Sequence, residues 1–409
     1  MKELVFIKIK AIAKVLLVYF FGIPAALLMR LLYPVIHIRV GILPSDRIGH
    51  LAEVSMHFSC THDLYENKRM LNLFFCDCVT ANTFFLKLIK RKLYIFRFVQ
   101  FIYKANLYLP WSAIFYNVHE SDLYANYERH TRDTQNLRMK TKQVFPFSAD
   151  EDFSGNSFLK KMGCSNNKFV CLNIRDSAYL EKTFPNRDNS YHDYRDSDCQ
   201  SYALAVNELI SRGYFVIRMG SVVKDKMLID SDQFLDYPFC ELSSEFLDIW
   251  LMANCTFCIS TSSGLDSVAD IYRRPIAYVN ALPLGDFNSS NPKTIWMPKT
   301  IVDKNSQTIP LEDIIANGII SFHEGEDLYK YDWHEVNNTA EEICEVAKEI
   351  EEKVAGIWDA SKDNSRQRQH VLNLLSTHWD EFTQHHNINA FKKESYGHFS
   401  ETFLNKISE

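Results

Sequence analysis

Hydrophobic and polar positions along this chain change period in blocks. His37–Leu43 (HIRVGIL) is a short β-branched run that stops at Pro44, and IGHLAEVSMHF after it has helical spacing. Strand, PSDR loop and helix form the opening unit of a Rossmann-like half. Met70–Cys76 reads as a second strand. Asn82–Lys104 fits either one long basic–aromatic helix or helix, strand, helix. From Val118 to Asn167 the pattern is polar and aperiodic, with FSADEDFSGNS as the expected hinge. A second α/β series begins at Phe169. Its helix Gln200–Arg212 stops at Gly213, and the strand ending FVIRMG follows at once. Leu242–Ala253 is another helix and Cys255–Ser260 another strand. TSSG then opens the helix Leu265–Tyr272, RRP ends it, and IAYVN is the next strand. This alternating order predicts a parallel sheet. Near the end, Thr339 with Glu342 makes a capping box, and the last fifty residues read as helical, with Trp358 and Trp379 as anchors.

A length of 409 residues exceeds one ordinary core, so at least two domains are expected. The predicted divisions are 1–36, 37–155, 156–338 and 339–409. Charge sharpens the first. Residues 1–104 hold 15 Lys/Arg against 6 Asp/Glu, so this part stands at +9 and, with −6 overall, the remainder at −15. A basic segment on an acidic chain points to an anionic surface. The Phe, Leu and Ile around these charges favour a membrane over nucleic acid. Within it, Val15–Met29 is uncharged but shorter than the ~20 residues of a span, and Gly22 and Pro24 interrupt it. An interfacial helix is the expectation, with burial against the protein and a true span as alternatives. Ten cysteines without a small secreted framework fit a reducing cytosol. Cys255 and Cys258 lead into a strand, which suits buried thiols better than a redox pair.

Candidate chemistry gathers where the strands of the second half end. Arg175 closes FVCLNIR, Arg218 closes YFVIR, and Ser262, Ser263 and Gly264 form a hydroxyl-rich turn at a helix start. Guanidinium groups grip phosphate oxygens in pairs, and a helix N-terminus attracts anions, so together they suit a diphosphate. Taken singly, each has a plain alternative, an ion pair or an ordinary N-cap. Asp176, Tyr191, Arg195, Gly220 and Asp266 lie around these ends and are assigned to the donor's sugar or base. His192 and Tyr194 belong to the same loop. Asp46 and His50, in the first strand–helix turn, are the candidates for a base that deprotonates an acceptor hydroxyl. Asp196–Asp198 and Asp230–Asp232 are D-x-D sequences in polar loops, read as solvent-exposed, so no metal is assigned. Dinucleotide, Walker and nucleophile-elbow motifs do not occur.

With LPSDRIGH, NIRDSAYL, SYHDYRDSD, GYFVIRMG, STSSGLDSVAD and RRPIAYVN in this order, the chain resembles a bacterial family of glycosyltransferases that accompanies surface-polysaccharide genes. The likeness runs from about His37 to Phe403. More distantly it is similar to fucosyltransferase-like GT-B enzymes. In them an H-x-R-R strand end would put Arg175 on the donor phosphates. Here Asn173 and Asp176 replace the His and the second Arg, so GDP-fucose is not implied. The resemblance implies a GT-B-like fold, with two Rossmann-like domains facing across a cleft behind an N-terminal membrane-associated helix. It implies transfer from a nucleotide diphosphate sugar, without cofactor or metal ion, to a glycan or lipid-linked acceptor. The expected place is the cytoplasmic face of the inner membrane, peripheral or monotopic. A CDP-glycerol-type glycerophosphotransferase and a non-catalytic assembly scaffold are the alternatives.

Overall fold

The computed structural model describes residues 12–64, 69–76, 79–116, 137–142, 145–183, 188, 190–284, 291–319, 325–386 and 397–407. The chain divides into two compact units, Met1–Thr131 with Lys140–Pro146, and Arg132–Met139 with Phe147–Glu409.

The first unit begins with helix α1, Ile12–Leu32. Gly22 and Pro24 do not interrupt it. A five-residue π turn, Val18–Gly22, leads into the regular α segment from Ile23, and Pro24 occupies the first turn of that segment. A widened turn is a place where a helix absorbs a missing backbone donor. Gly22 is needed for another reason: a Cβ there would sit 2.4 Å from the carbonyl oxygen of Phe101. Strand β1 (His37–Leu43), helix α2 (Ile48–Leu64) and strand β2 (Met70–Cys76) follow, and β1 pairs in parallel with β2 from His37↔Met70 to Leu43↔Cys76. The ambiguous basic–aromatic segment resolves into helix α3 (Thr83–Ile89), the two-residue strand β3 (Tyr94–Ile95) and helix α4 (Val99–Asn106). The sheet order is β1-β2-β3. Val18, Ala26 and Met29 of α1 share one apolar cluster with Val40, Phe75, Val99, Ile102 and Tyr103. Among the described residues, α1 thus packs within this unit.

The second unit opens with helix α5, Ala149–Lys161, in place of the expected hinge. Ser148 and Glu151 form a reciprocal capping box, and Asp150, Glu151 and Asp152 place negative charge in the first turn. The polar text is thus a helix start with a narrow buried side, Gly155, Phe158 and Leu159. The elements that follow are β4 (Phe169–Asn173), α6 (Ala203–Ser211), β5 (Phe215–Arg218), β6 (Phe234–Asp236), α7 (Glu245–Asn254), β7 (Phe257–Ser260), α8 (Asp266–Ile271), β8 (Ile276–Ala281) and β9 (Ile295–Pro298). A small antiparallel pair, β10 (Thr300–Val302) and β11 (His334–Val336), precedes α9 (Ala340–Ala355) and α10 (Ser365–His386). Strand β12 (His398–Phe399) and α11 (Glu401–Lys406) end the described chain.

Seven strands form one parallel sheet in the order β12-β9-β8-β7-β4-β5-β6. From β4 the chain adds β5 and β6 on one side, then returns to add β7, β8 and β9 on the other. The reversal makes β4/β7 the topological switch point, where open α/β sheets leave a crevice at their carboxyl ends. Residues 339–409 belong to this unit. Arg212, just after α6, pairs with Glu351 of α9 at 2.8 Å, and β12 extends the sheet beside β9. Cys255 and Cys258 are buried, free thiols.

Candidate active site

Strands β4 and β7 end side by side and are tied together by side chains. Asn173 Nδ2 donates to Ser260 Oγ at 3.2 Å and to Ser263 Oγ at 2.8 Å. The Arg175 amide donates to Thr261 Oγ1 at 2.9 Å. Asn173, where the fucosyltransferase-like pattern has His, is therefore a brace across the switch point.

Asp266 holds the Ser-rich turn from inside. Its Oδ2 accepts from Ser260 Oγ at 2.6 Å and from the Ser263 amide at 2.7 Å. It is buried, and burial pushes its carboxyl up to about 7 against the pull of those two bonds and of Arg195. This corrects the expectation that Asp266 meets the donor. The Ser263 amide and hydroxyl are likewise engaged internally. Ser262 adopts a left-handed backbone (φ 59°), and its carbonyl accepts from Arg195 Nη2. Gly264 is exposed beside it.

Over this turn runs the 3₁₀ segment Ser190–Arg195 with Asp196. Arg175 Nε donates to Asp196 Oδ1 at 2.9 Å. Burial and the adjacent Arg195 charge both lower the Arg175 pKa, while burial raises that of Asp196. Arg195 Nε is buried and has no hydrogen-bond partner. Lys299, between β9 and β10, is buried beneath the same segment. Its Nζ donates to the carbonyls of Tyr194 at 2.6 Å and Asp196 at 2.9 Å. Burial lowers its pKa to about 8, opposed by Glu335 and Asp196 and reinforced by Arg175. Ser197 anchors the segment further on, through Tyr202 and Asn280, and Asn280 is locked to Asn338 by reciprocal amide bonds.

Three cations, Arg175, Arg195 and Lys299, thus gather at the switch point. One carboxylate, Asp196, bonds directly to Arg175; Arg195 and Lys299 direct their donors to main-chain oxygens. Lys299 escapes sequence reading because it sits between two short strands and carries no motif. Asp196 was read as a solvated D-x-D residue and instead faces Arg175. Asp230 and Asp232 are exposed, as read.

Arg218 is not part of this group. Its side chain is 1 % exposed, against 13 % for Arg175, and it faces Asp236 at 3.4 Å and the Asp225 carbonyl at 2.7 Å. A phosphate could reach it only by displacing a buried carboxylate. Gly220 adopts φ 136° in the turn after β5, and a Cβ there would crowd Val223 at 3.0 Å, so its role is the turn. Asp176 is also committed locally, accepting from the Ala178 amide at 3.0 Å and the Lys224 amide at 2.9 Å. Tyr194 is buried; the side chains of Tyr191, His192 and Trp379 lie outside the described set.

In the first unit, Asp46 and His50 flank the turn from β1 into α2. Burial and Arg47 lower the His50 pKa to about 4, against the opposing pull of Asp46, so its imidazole is neutral at pH 7. Among the described residues no group of three or more His, Cys, Asp or Glu could hold a metal ion.

No protein-family model matches the chain, and no curated protein does. Among solved structures it is similar to Escherichia coli ADP-heptose lipopolysaccharide heptosyltransferase II, at 12 % identity over 59 % of this chain and 84 % of that one, with a TM-score of 0.34. The glycosyl transferase family 9 structure from Veillonella parvula DSM 2008 gives 10 % identity, coverage of 64 % and 86 %, and a TM-score of 0.39. The E. coli heptosyltransferase WaaC with ADP gives 10 %, 59 % and 87 %, and 0.29. These scores are low, and the likeness carries no weight for activity; the chemistry of the site must do so.

Proposed function

We propose that this chain is a metal-independent glycosyltransferase. It moves a sugar from a nucleotide diphosphate sugar to a hydroxyl of a surface-polysaccharide or lipid-linked glycan. The work is done at the cytoplasmic face of a membrane, where such acceptors are held. The observation that carries the reading is the convergence of Arg175, Arg195 and Lys299 at the β4/β7 switch point, with one directly paired carboxylate among them. A diphosphate bound there would meet all three cations, and the buried Arg195 Nε, which has no hydrogen-bond partner, would gain an acceptor.

In the transfer, the bond between the anomeric carbon and the β-phosphate oxygen breaks, and its electron pair leaves with the nucleoside diphosphate. The acceptor oxygen bonds to that carbon and its proton passes to a base. Arg175, Arg195 and Lys299 stabilise the departing charge, the work a metal ion does elsewhere; one such donor is worth roughly 10²–10³ in rate. Ser262–Gly264 borders the same point. Asp46 and the neutral His50 are the proposed bases.

The test is a panel of nucleotide sugars on the purified chain, read by thermal stability and by release of nucleoside diphosphate with a lipid-linked acceptor. A donor at 100 times its dissociation constant adds about 2.7 kcal/mol of stability. The account expects one nucleotide sugar to stabilise the protein and to release its diphosphate only with acceptor. Silence across the panel, or a response to CDP-glycerol alone, would contradict it.

A further inference from the structure

The outer side of α1 is apolar and open to solvent. Phe20 is 80 % exposed and Leu31 76 %, and Val15, Leu16 and Leu27 are exposed as well. Its inner side, Val18, Gly22, Ala26 and Met29, is buried. That stripe runs along α4: Gly22 abuts the Phe101 backbone, and at the far end Arg30 bonds to Asn106 Oδ1 at 2.7 Å and to the Pro110 carbonyl at 2.9 Å. A second apolar group continues the exposed side. Phe21 meets the Phe98 ring edge-on at 5.8 Å, and Phe98 stacks on Phe96 at 5.3 Å. Beyond Pro110, Trp111 is 75 % exposed and held in a left-handed backbone, φ 57°. A bulky residue in that conformation is strained, and strain of this kind persists where surroundings impose it.

The charge pattern identifies the occupant. Residues 12–36 contain no Asp or Glu, and neither do residues 79–116, which hold six Lys/Arg. An apolar face with aromatic residues, built from segments that carry cations and no acids, fits a bilayer containing anionic lipid. We propose that α1 and the aromatic segment Phe96–Trp111 form one lipid-binding face, on which α1 lies in the plane of the bilayer instead of crossing it. By length and composition α1 could cross the roughly 30 Å of a bilayer core, so its packing decides the placement. From Val18 to Arg30, roughly 18 Å at 1.5 Å per residue, α1 is docked on an element bearing Gln100, Lys104 and Asn106. A span would draw these groups and Arg30 to hydrocarbon depth, where polar and charged side chains are costly. In the plane, α1 inserts its outer side and leaves them in the headgroup layer.

This deepens the membrane part of the proposed function, and the experiment separates the two. Full-length protein is floated with phosphatidylcholine vesicles, with and without phosphatidylglycerol, and compared with Phe98→Glu/Trp111→Glu and Phe20→Glu/Leu31→Glu. All four positions are exposed, so folding is expected to survive, and melting temperature checks it. Wild type should float, more with the anionic lipid. Each pair should lower partition by about tenfold or more, with the thermal response to a nucleotide sugar unchanged. An N-terminal tag should remain open to protease added outside. Wild-type flotation of Phe98→Glu/Trp111→Glu would overturn the joint face, and a protected tag would overturn the in-plane placement. No flotation of wild type, with the variants instead turning a dimer into a monomer, would reassign the face to self-association. Flotation as expected without any nucleotide response would leave this face standing and sink the transferase reading.

Discussion

Arg175 and Arg218 close neighbouring strands of one parallel sheet, and the structure treats them in opposite ways. Arg218 is sealed with Asp236, a carboxylate of similar burial that also accepts the Met227 amide at 2.8 Å. Its charge is paired within the fold, and its Nε, like that of Arg195, is buried without a hydrogen-bond partner. Arg175 shares Asp196 with the fields of Arg195 and Lys299, keeps an open edge, and lies at the switch point instead of one strand away. Position at a strand end is therefore not what marks a ligand-binding arginine. Gathering with other cations at the switch point is the mark on which the proposed site rests.

The comparison breaks most visibly at Arg218. Arg218→Ala leaves Asp236 buried without its cation and should cost about 3–5 kcal/mol in denaturant unfolding, as one-sided removal from buried pairs does. Arg218→Met with Asp236→Leu should recover most of it. A small loss in the single variant, with nucleotide binding abolished, would return Arg218 to the site.

Asp266 sharpens the same contrast through pH. Its folded pKa, about 7, lies above the ordinary 3.8. The folded state therefore holds an extra proton between these values. The stability this proton supplies is fully present below about pH 4 and is lost as pH rises through 7. It amounts to at most about 4 kcal/mol at ~1.4 kcal/mol per pKa unit. Asp266→Asn should flatten the melting-temperature profile over that window, and an unchanged slope would contradict the assignment.

At the open arginine the effect should fall on rate. Arg175→Ala should lower transfer by about 10²–10³, with unfolding free energy changed by no more than about 1 kcal/mol, since its partner Asp196 is partly solvated. The smallest effect belongs to the exposed D-x-D. Asp230→Ala with Asp232→Ala should leave stability within about 0.5 kcal/mol and transfer at the wild-type rate with or without divalent cations.

Much of the fold was legible because its strands are buried, uniform apolar runs with polar ends. β1 and β2 match their expected limits residue for residue, and β4, β5, β7 and β8 fall within a few residues of theirs. Short or interrupted strands escaped. β12 has two residues, and the single residue Lys299, after Pro298, divides β9 from β10. The expected hinge hid a helix because α5 buries only one narrow side. The site was half legible for a related reason. Arg175 and the Ser260–Ser263 turn are local features of strand ends. The partners that give each group its role lie far off in sequence: Asp236 is 18 residues from Arg218, and the Tyr194 carbonyl 105 from Lys299. No pattern in one chain reveals such pairings.

The most direct measurement is calorimetric titration of nucleoside diphosphates into wild type and Arg195→Ala at low and at physiological salt. The account predicts saturable binding to wild type that weakens with salt, and loss of most of it in Arg195→Ala without a change in melting temperature. Equal affinity in the two proteins, or no binding to wild type under either condition, would contradict a diphosphate site at the β4/β7 switch point.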